Sequence, residues 1–510
     1  MASSSTRKTV LGRTTDWITC RQVLNLMVIL GFMFNYMLRV NLTLAIVEMV
    51  YDTDTHTIQN GSISNNETIS NLTSITNAST DVVEDVTLTP GSKFHWDKYA
   101  QNYILGSFFW GYILTELPGG RLAEVIGARK VFGGGMLMAS FLTLLTPPAC
   151  RWGFLVVVGL RALVGFFLGA TFPATPPMAA KWIPPLERSK FIANMMASSL
   201  GAALTMPLGG FLISTLGWES VFYVTGGIGL VWSIAWFFLV YDSPAQHPRI
   251  SPEERYEIET KIAEGSGSGI KPSRVPWKAI FVSMPVWAIV VTHGCSVFGY
   301  FTVVNQLPTY MKEVLHFNIK KNGLLSSFPY LGKYLMAVTA SYFADRLRRS
   351  GKYSTSLIRK GFTTLAVFVP GLFMIVQAIF GEDPVLSVVI FTCSLFFNGA
   401  VTGGYLTNGL DIAPNFSGTI MGMANTLSSI GGWLSTFMVA TITNKNHTFE
   451  QWRYVFWILV VIYIVGSLMF AVFGTAQLQS WNSIQRAPDT ITIKTQEMQP
   501  LKKKENEIKA

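Results

Sequence analysis

Charge is what this chain has least of. Asp, Glu, Lys and Arg make up 13% of its 510 residues, against about 25% in soluble domains. With 50% hydrophobic residues and a mean hydropathy of +0.37, the sequence reads as an all-α, polytopic membrane protein. Cysteine is scarce too. Cys20, Cys150, Cys295 and Cys393 lie far apart without CxxC spacing, which excludes a disulfide framework or zinc site. No nucleophile–base pair or metal-ligand cluster stands out, so an enzyme is excluded and no cofactor is called for. The formal charge of +10 comes from basic residues scattered among short connecting segments and does not point to nucleic acid. No short apolar stretch ends in a small-residue cleavage site, so the first apolar run is expected to persist as a helix.

Apolar length and loop punctuation predict twelve spanning helices, near 22–47, 99–119, 130–149, 153–176, 190–216, 219–241, 283–305, 323–343, 360–380, 385–407, 418–442 and 453–475. A hydrophilic stretch splits them six and six. The expected organisation is a tail at 1–21, a half at 22–241 with a polar loop at 48–98, a linker at 242–282, a second half at 283–475 and a disordered tail at 476–510. Most of the 39 Lys and Arg fall on one side of these helices, which the positive-inside rule makes cytosolic, both termini included. The loop placed outside carries glycosylation sequons at Asn60, Asn66, Asn71 and Asn77, and another at Asn446 precedes the last helix. Within the linker, Ser251, Pro252 and Glu254 form a helix-start signature.

A weak repeat links the halves. GGRLAEVIGARK (119–130) and SYFADRLRRSGK (341–352) each place an acid after alanine, Glu124 and Asp345, ahead of basic residues that include Arg129 and Arg346. Two such halves describe a major facilitator fold.

Three basic residues fall within the predicted helices. Arg39 interrupts an uncharged run from Gln22 to Val47. A guanidinium keeps its charge, and holding it in hydrocarbon costs roughly 2.5–3.5 kcal/mol on insertion scales. Such a residue faces a water-filled path or a partner, and an anion is the natural ligand. Arg161 lies at the same depth, about 12 Å from the outer boundary at 1.5 Å per residue. Two guanidiniums at one level repel unless an anion or acid separates them. Tyr36 is one helical turn before Arg39 and is placed to assist. Lys333 adds a third positive charge, stays neutral when desolvated, or reaches a carbonyl or acid. Glu116, near the inner end of a helix ending at 119, reads as a gate or salt-bridge residue. His293 titrates near neutral pH or is a satisfied structural group. Oxygens of Asn35, Asn305, Asn398 and Asn408, with helix breaks at Gly403-Gly404 and Gly431-Gly432, offer a sodium ion its ligands.

Longer segments carry a family resemblance. GSFFWGYILTELPGGRLAE (106–124), PPLERSK (184–190), LPTYMKEVLHF (307–317) and NGLDIAP (408–414) resemble the anion–cation symporters of solute carrier family seventeen. HPRISPEERYEIE (247–259) and VPWKAI (275–280) are similar to its insect group of inorganic phosphate cotransporters. The resemblance implies an alternating-access symporter for a small anion in the lipid bilayer, a monomer by default. Phosphate with sodium at the plasma membrane is the first reading. The alternative is an organic-anion carrier of lysosomes or vesicles, for sialic acid, an acidic amino acid or a urate-like anion. A further one is a non-transporting sensor on the same scaffold. Arg39 and Arg161 match family arginines on path-lining helices. Asn408 and Asp411 stand in the family's N-H-L-D segment, here with Gly409 for the histidine. The departures concern coupling: Leu168 replaces the acid of proton-coupled relatives and Pro176 replaces their histidine, so sodium is expected over the proton. Ser296 replaces the arginine of vesicular glutamate carriers, which disfavours transport of that type.

Overall fold

The chain enters its first helix through a capping box. Thr19 accepts a hydrogen bond from the Gln22 amide at 3.2 Å, and the Gln22 side chain accepts one from Thr19 N at 3.0 Å. In the computed structural model, residues 18–50, 93–96, 98–266, 274–315, 328–443 and 448–483 are described; the five sequon asparagines and residues 484–510 lie outside them, whereas 476–483, expected to be disordered, are held by hydrogen bonds such as Gln479 N to the Ile412 carbonyl and Asn415 N to Asn482 Oδ1.

Among the described residues, twelve helical rods follow one another. In the first half they are α1 (Cys20–Met49), α2 (Lys98–Ile126), α3 (Ala128–Leu144 with Thr146–Trp152, bent by 50°), α4 (Phe154–Trp182), α5 (Pro185–Leu216) and α6 (Trp218–Leu239). In the second they are α7 (Met284–Glu313), α8 (Phe328–Ser350), α9 (Thr355–Phe380), α10 (Pro384–Ile412), α11 (Ser417–Thr443) and α12 (Phe449–Phe473). Nine are apolar and long enough to cross a bilayer, counting bent α3 as one. The other three, α2, α8 and α11, hold buried polar residues such as Glu116, Glu124, Lys333, Asp345, Asn425 and Ser429. A helix whose inward face is polar looks less apolar than one facing lipid.

Small residues set the closest crossings. A Cβ on Gly165 would sit 1.9 Å from the Phe108 carbonyl oxygen, and one on Gly111 1.9 Å from that of Ala162. Helices α2 and α4 therefore touch backbone to backbone. The halves meet in the same way. A Cβ on Gly120 would lie 2.1 Å from the Gly418 oxygen, and one on Gly422 2.6 Å from that of Glu116.

The end that bears the linker is tied shut. Glu124 of α2 accepts from the Thr419 amide at 2.7 Å and its hydroxyl at 3.0 Å. Asp345 of α8 accepts from the Lys190 amide at 3.0 Å. Arg188 donates to the Leu410 carbonyl, Arg348 to that of Pro185, and Arg359 to the Ser189 hydroxyl. Asp411 pairs with Arg359 at 2.7 Å and Arg348 at 3.3 Å. The repeat seen in the sequence is thus structural: each acid crosses to an amide near the start of a helix in the other half.

The linker helix, Pro252–Ser266, is capped by Ser251 as its sequence predicts. Its Glu254, rather than closing a capping box there, accepts from the Cys20 and Arg21 amides at the start of α1. The first amides of a helix, which have no intrahelical acceptor, thus receive a carboxylate. Arg21 also pairs with Glu187. At the other end of the linker, Asp242 accepts from the Arg129 amide at 2.8 Å. Gly127, at φ 105°, leaves room for that carboxylate; a Cβ there would sit 2.2 Å from it.

Candidate functional site

A cavity of about 110 Å³ lies between the halves, lined from one side by Tyr36, Arg39, Tyr112 and Glu116 and from the other by His293, Tyr300 and Lys333, among others. Arg39 reaches it from the middle of α1. Its guanidinium carbon is 5.4 Å from the ring centre of Phe108, 5.1 Å from Phe109, 5.6 Å from Tyr112 and 5.3 Å from Phe301 of the opposite half. Such cation–π contacts contribute about 0.5–2 kcal/mol each. They leave the guanidinium's hydrogen-bond donors for a ligand.

Lys333 faces the cavity from α8. Its ammonium nitrogen is 3.4 Å from the centre of the Tyr300 ring, and the residue is 7% exposed. Among the described residues no ion pair involves Arg39 or Lys333. Among the described residues Lys333 meets the Tyr300 ring rather than an acid. The Tyr36 hydroxyl is close enough to those of Tyr300 and Tyr330 to share hydrogen bonds. The cavity therefore offers one cation from each half, with phenolic hydroxyls nearby.

Glu116 differs from its expected place. Helix α2 continues to Ile126, seven residues past the predicted end, because a spanning helix tolerates the Pro118-Gly119-Gly120 run. Glu116 consequently lines the cavity instead of marking a helix end. It is 1% exposed, its Oε1 accepts from Ser429 of the opposite half at 2.9 Å, and its Oε2 has no partner.

His293 is held within its own half. Its Nε2 meets Asn425 Oδ1 at 2.9 Å and its Nδ1 meets the Tyr405 hydroxyl at 3.3 Å. Asn425, Tyr300, Phe301 and Ser429 escaped the sequence reading. They sit in helices whose many small and aromatic residues give no single helical phase.

Arg161 does share the level of Arg39, but it turns away from the cavity. It donates to the backbone carbonyls of Leu38, at 3.1 Å, and Arg39, and stacks over Phe108 at 5.0 Å. The carbonyl dipoles of Leu38 and Arg39 thus face the Arg161 guanidinium. Asn408 and Asp411 are likewise outside the cavity. Asn408 donates to the Thr475 carbonyl, and Asp411 belongs to the ionic cluster at the linker-bearing end. Arg346 is exposed and faces Tyr342; Arg348, two residues on, makes the contacts expected of it. Arg129 donates to the Phe237 carbonyl and lies over Tyr241 at 4.3 Å.

Of the asparagines whose oxygens the sequence offers to sodium, Asn35 and Asn398 line the cavity and Asn408 does not. Asn35 binds Thr171, Asn398 binds Ser296, and Asn408 lies elsewhere; the Asn305 side chain is outside the described residues. Helix α10 breaks at Gly403-Gly404 as expected, whereas α11 runs unbroken through Gly431-Gly432. Gly432 serves contact with Phe301, whose ring a Cβ would meet at 2.7 Å. Leu168 is fully buried in the core, and Pro176 is buried in α4.

Residues 26–436 match the sequence model of the Major Facilitator Superfamily. Sialin of Homo sapiens is 38% identical over 464 residues, 91% of this chain and 91% of that protein. Vesicular glutamate transporter 2 of Homo sapiens is 34% identical over 464 residues, 90% of this chain and 75% of that one. Among solved structures, the proton:xylose symporter XylE bound to a bromo-deoxyglucose superposes with a TM-score of 0.62 at 14% identity, covering 89% of this chain and 96% of that one. At that identity the likeness concerns the fold alone.

Proposed function

Because the chain belongs to the Major Facilitator Superfamily and, within it, to the solute carrier family of sialin and the vesicular glutamate transporters, we propose that it is a secondary active transporter of a small organic anion. The observation that carries this reading is the central cavity, in which Arg39 from one half and Lys333 from the other lack any carboxylate partner among the described residues. An anion between them neutralises both and joins the halves. Rocking of the two halves about that point gives alternating access. The arginine absent at Ser296 separates this site from that expected of a vesicular glutamate carrier, so sialic acid and related carboxylates come before glutamate. Phosphate remains a second reading, supported by the pair of cations.

The hydrogen bonds that close the linker-bearing end favour a state open toward the opposite side. With both termini cytosolic, that side is the lumen or the exterior, and the sequons at Asn60, Asn66, Asn71, Asn77 and Asn446 face it. A shift on deglycosylation, lost in the five-fold Asn→Gln variant, tests this orientation. The function is tested by uptake of labelled N-acetylneuraminate, L-glutamate, urate and phosphate into proteoliposomes of the purified protein. Uptake of one carboxylate under an ion gradient is expected. No uptake of any of the four under sodium or proton gradients overturns the reading.

A further inference from the structure

We infer that Glu116 carries the co-transported proton. This deepens the anion-carrier reading and rests on it. Leu168 occupies the place where proton-coupled relatives have an acid, and leucine cannot titrate. A proton as the coupling ion, in place of the sodium expected from Leu168 and Pro176, needs another group that changes charge. Glu124, Asp345 and Asp411 are bound to amides or arginines at the linker-bearing end. Both ring nitrogens of His293 are occupied by neighbours in its own half. Glu116 alone among the acids of the described residues lines the cavity.

Its surroundings suit a proton. Oε1 accepts from the Ser429 hydroxyl, while Oε2 is buried without a partner, and no cation lies within ion-pair distance among the described residues. An ionised carboxylate there is an uncompensated buried charge. A proton on Oε2 removes that charge. The groups around it are few. Arg39 on α1 and Tyr112 on α2 are within electrostatic reach. Helix α11 presents the neutral Asn425, Ser428 and Ser429, and the other titratable groups of the opposite half that line the cavity are His293 and Tyr300 on α7, Lys333 on α8 and Tyr405 on α10. Arg161 on α4 is turned to the α1 backbone. Arg121, Glu124 and Arg129 lie farther along α2 and α3, toward the linker-bearing end.

Two features make the proton a coupled one. Ser429 belongs to the opposite half, so its bond to Glu116 exists only while the halves are closed against each other here. Rocking them apart removes the donor from Oε1 and admits water. The carboxyl then gives its proton to water, and the carboxylate takes one from hydronium when it faces the other side. The second feature is Arg39. Its positive field favours the carboxylate while the site is empty. An anion on Arg39 cancels that field, so anion and proton bind more tightly together than apart, and the help is reciprocal.

The test uses proteoliposomes with trapped pyranine and whichever of labelled N-acetylneuraminate, L-glutamate, urate or phosphate the wild type carries. A wild type that carries none overturns the transporter reading itself, which distinguishes that failure from failure of this inference. In a carrying wild type, addition of the anion is expected to move protons in the same direction. Glu116→Gln is expected to lower proton movement and uphill accumulation at least tenfold, while anion exchange remains measurable and loses its response to pH. Glu116→Asp is expected to restore a pH response. Proton movement per anion in Glu116→Gln equal to that of wild type overturns the inference. So does equal loss of exchange in both variants, which marks Glu116 as a structural residue.

Discussion

Arg161 donates to the backbone carbonyl of Arg39, the residue whose side chain enters the cavity. One arginine thus positions the other without lining the cavity itself. A charge-assisted hydrogen bond contributes about 1.5–3 kcal/mol, and Arg161 also donates to Leu38. Arg161→Lys keeps the charge but loses the two-pronged geometry. A lower thermal midpoint and a weaker apparent affinity for the anion are expected. An Arg161→Lys protein with wild-type stability and affinity would remove it from this role.

Closure of the linker-bearing end depends on glycine contact between α2 and α11. Gly120→Ala puts a Cβ 2.1 Å from the Gly418 carbonyl oxygen, backbone that cannot move aside cheaply. The closed state should lose population. In a cysteine-free background, a reporter Ala193→Cys, buried at that end, is expected to react with a water-soluble maleimide about tenfold faster when Gly120→Ala is added, a factor equal to about 1.4 kcal/mol. An unchanged rate would contradict closure through this crossing.

Asp411 sits among three arginines. It pairs with Arg348 and Arg359, and Arg188 lies near. Removing one partner of a buried ionic cluster costs about 3–5 kcal/mol, because it leaves the other charges uncompensated. Asp411→Asn is therefore expected to reduce the yield of folded protein and to lower its thermal midpoint sharply. Replacement of the exposed Arg346 by Gln is expected to leave both within error.

The linker has a pH response of its own. Burial is the leading cause that holds the His247 imidazole below its usual range. The ring packs against Trp182 and Tyr241, and its Nδ1 accepts from the Arg249 amide at 3.2 Å. Because the docked ring prefers to be neutral, its contribution is present above the ordinary imidazole range and is lost as pH falls through the depressed value. Protonation also places a hydrogen on Nδ1 against the Arg249 donor. Hydrogen exchange of residues 247–262 is expected to quicken below about pH 6, the ordinary range for imidazole, and His247→Phe should flatten that response.

Much of this architecture was legible in the residues. Arg39 stood out because a fixed charge in an apolar run has few explanations. The depth of Arg161 followed from helix length alone. Its contacts did not, since counting residues gives height along a helix but not which neighbour a side chain meets. Glu116 was misplaced because Pro118-Gly119-Gly120 reads as a breaker in water. In the bilayer that run is a packing device: a Cβ on Gly119 would sit 2.5 Å from Ala170. Arg346 and Arg348 show how little separates solvent from interface, since two residues turn a helix by about 200°. The linker helix was read correctly, but the reach of Glu254 to the Cys20 and Arg21 amides is a contact across sequence that no local pattern encodes.

The central claim is that Arg39 holds the transported anion, and its side chain can be tested directly. Initial uptake and the ligand-induced thermal shift should be measured for wild type, Arg39→Lys and Arg39→Ala with the anion that the wild type carries. The account predicts folded Arg39→Ala protein with no thermal shift and uptake reduced at least a hundredfold, and an intermediate Arg39→Lys. Wild-type uptake and thermal shift in Arg39→Ala would contradict it.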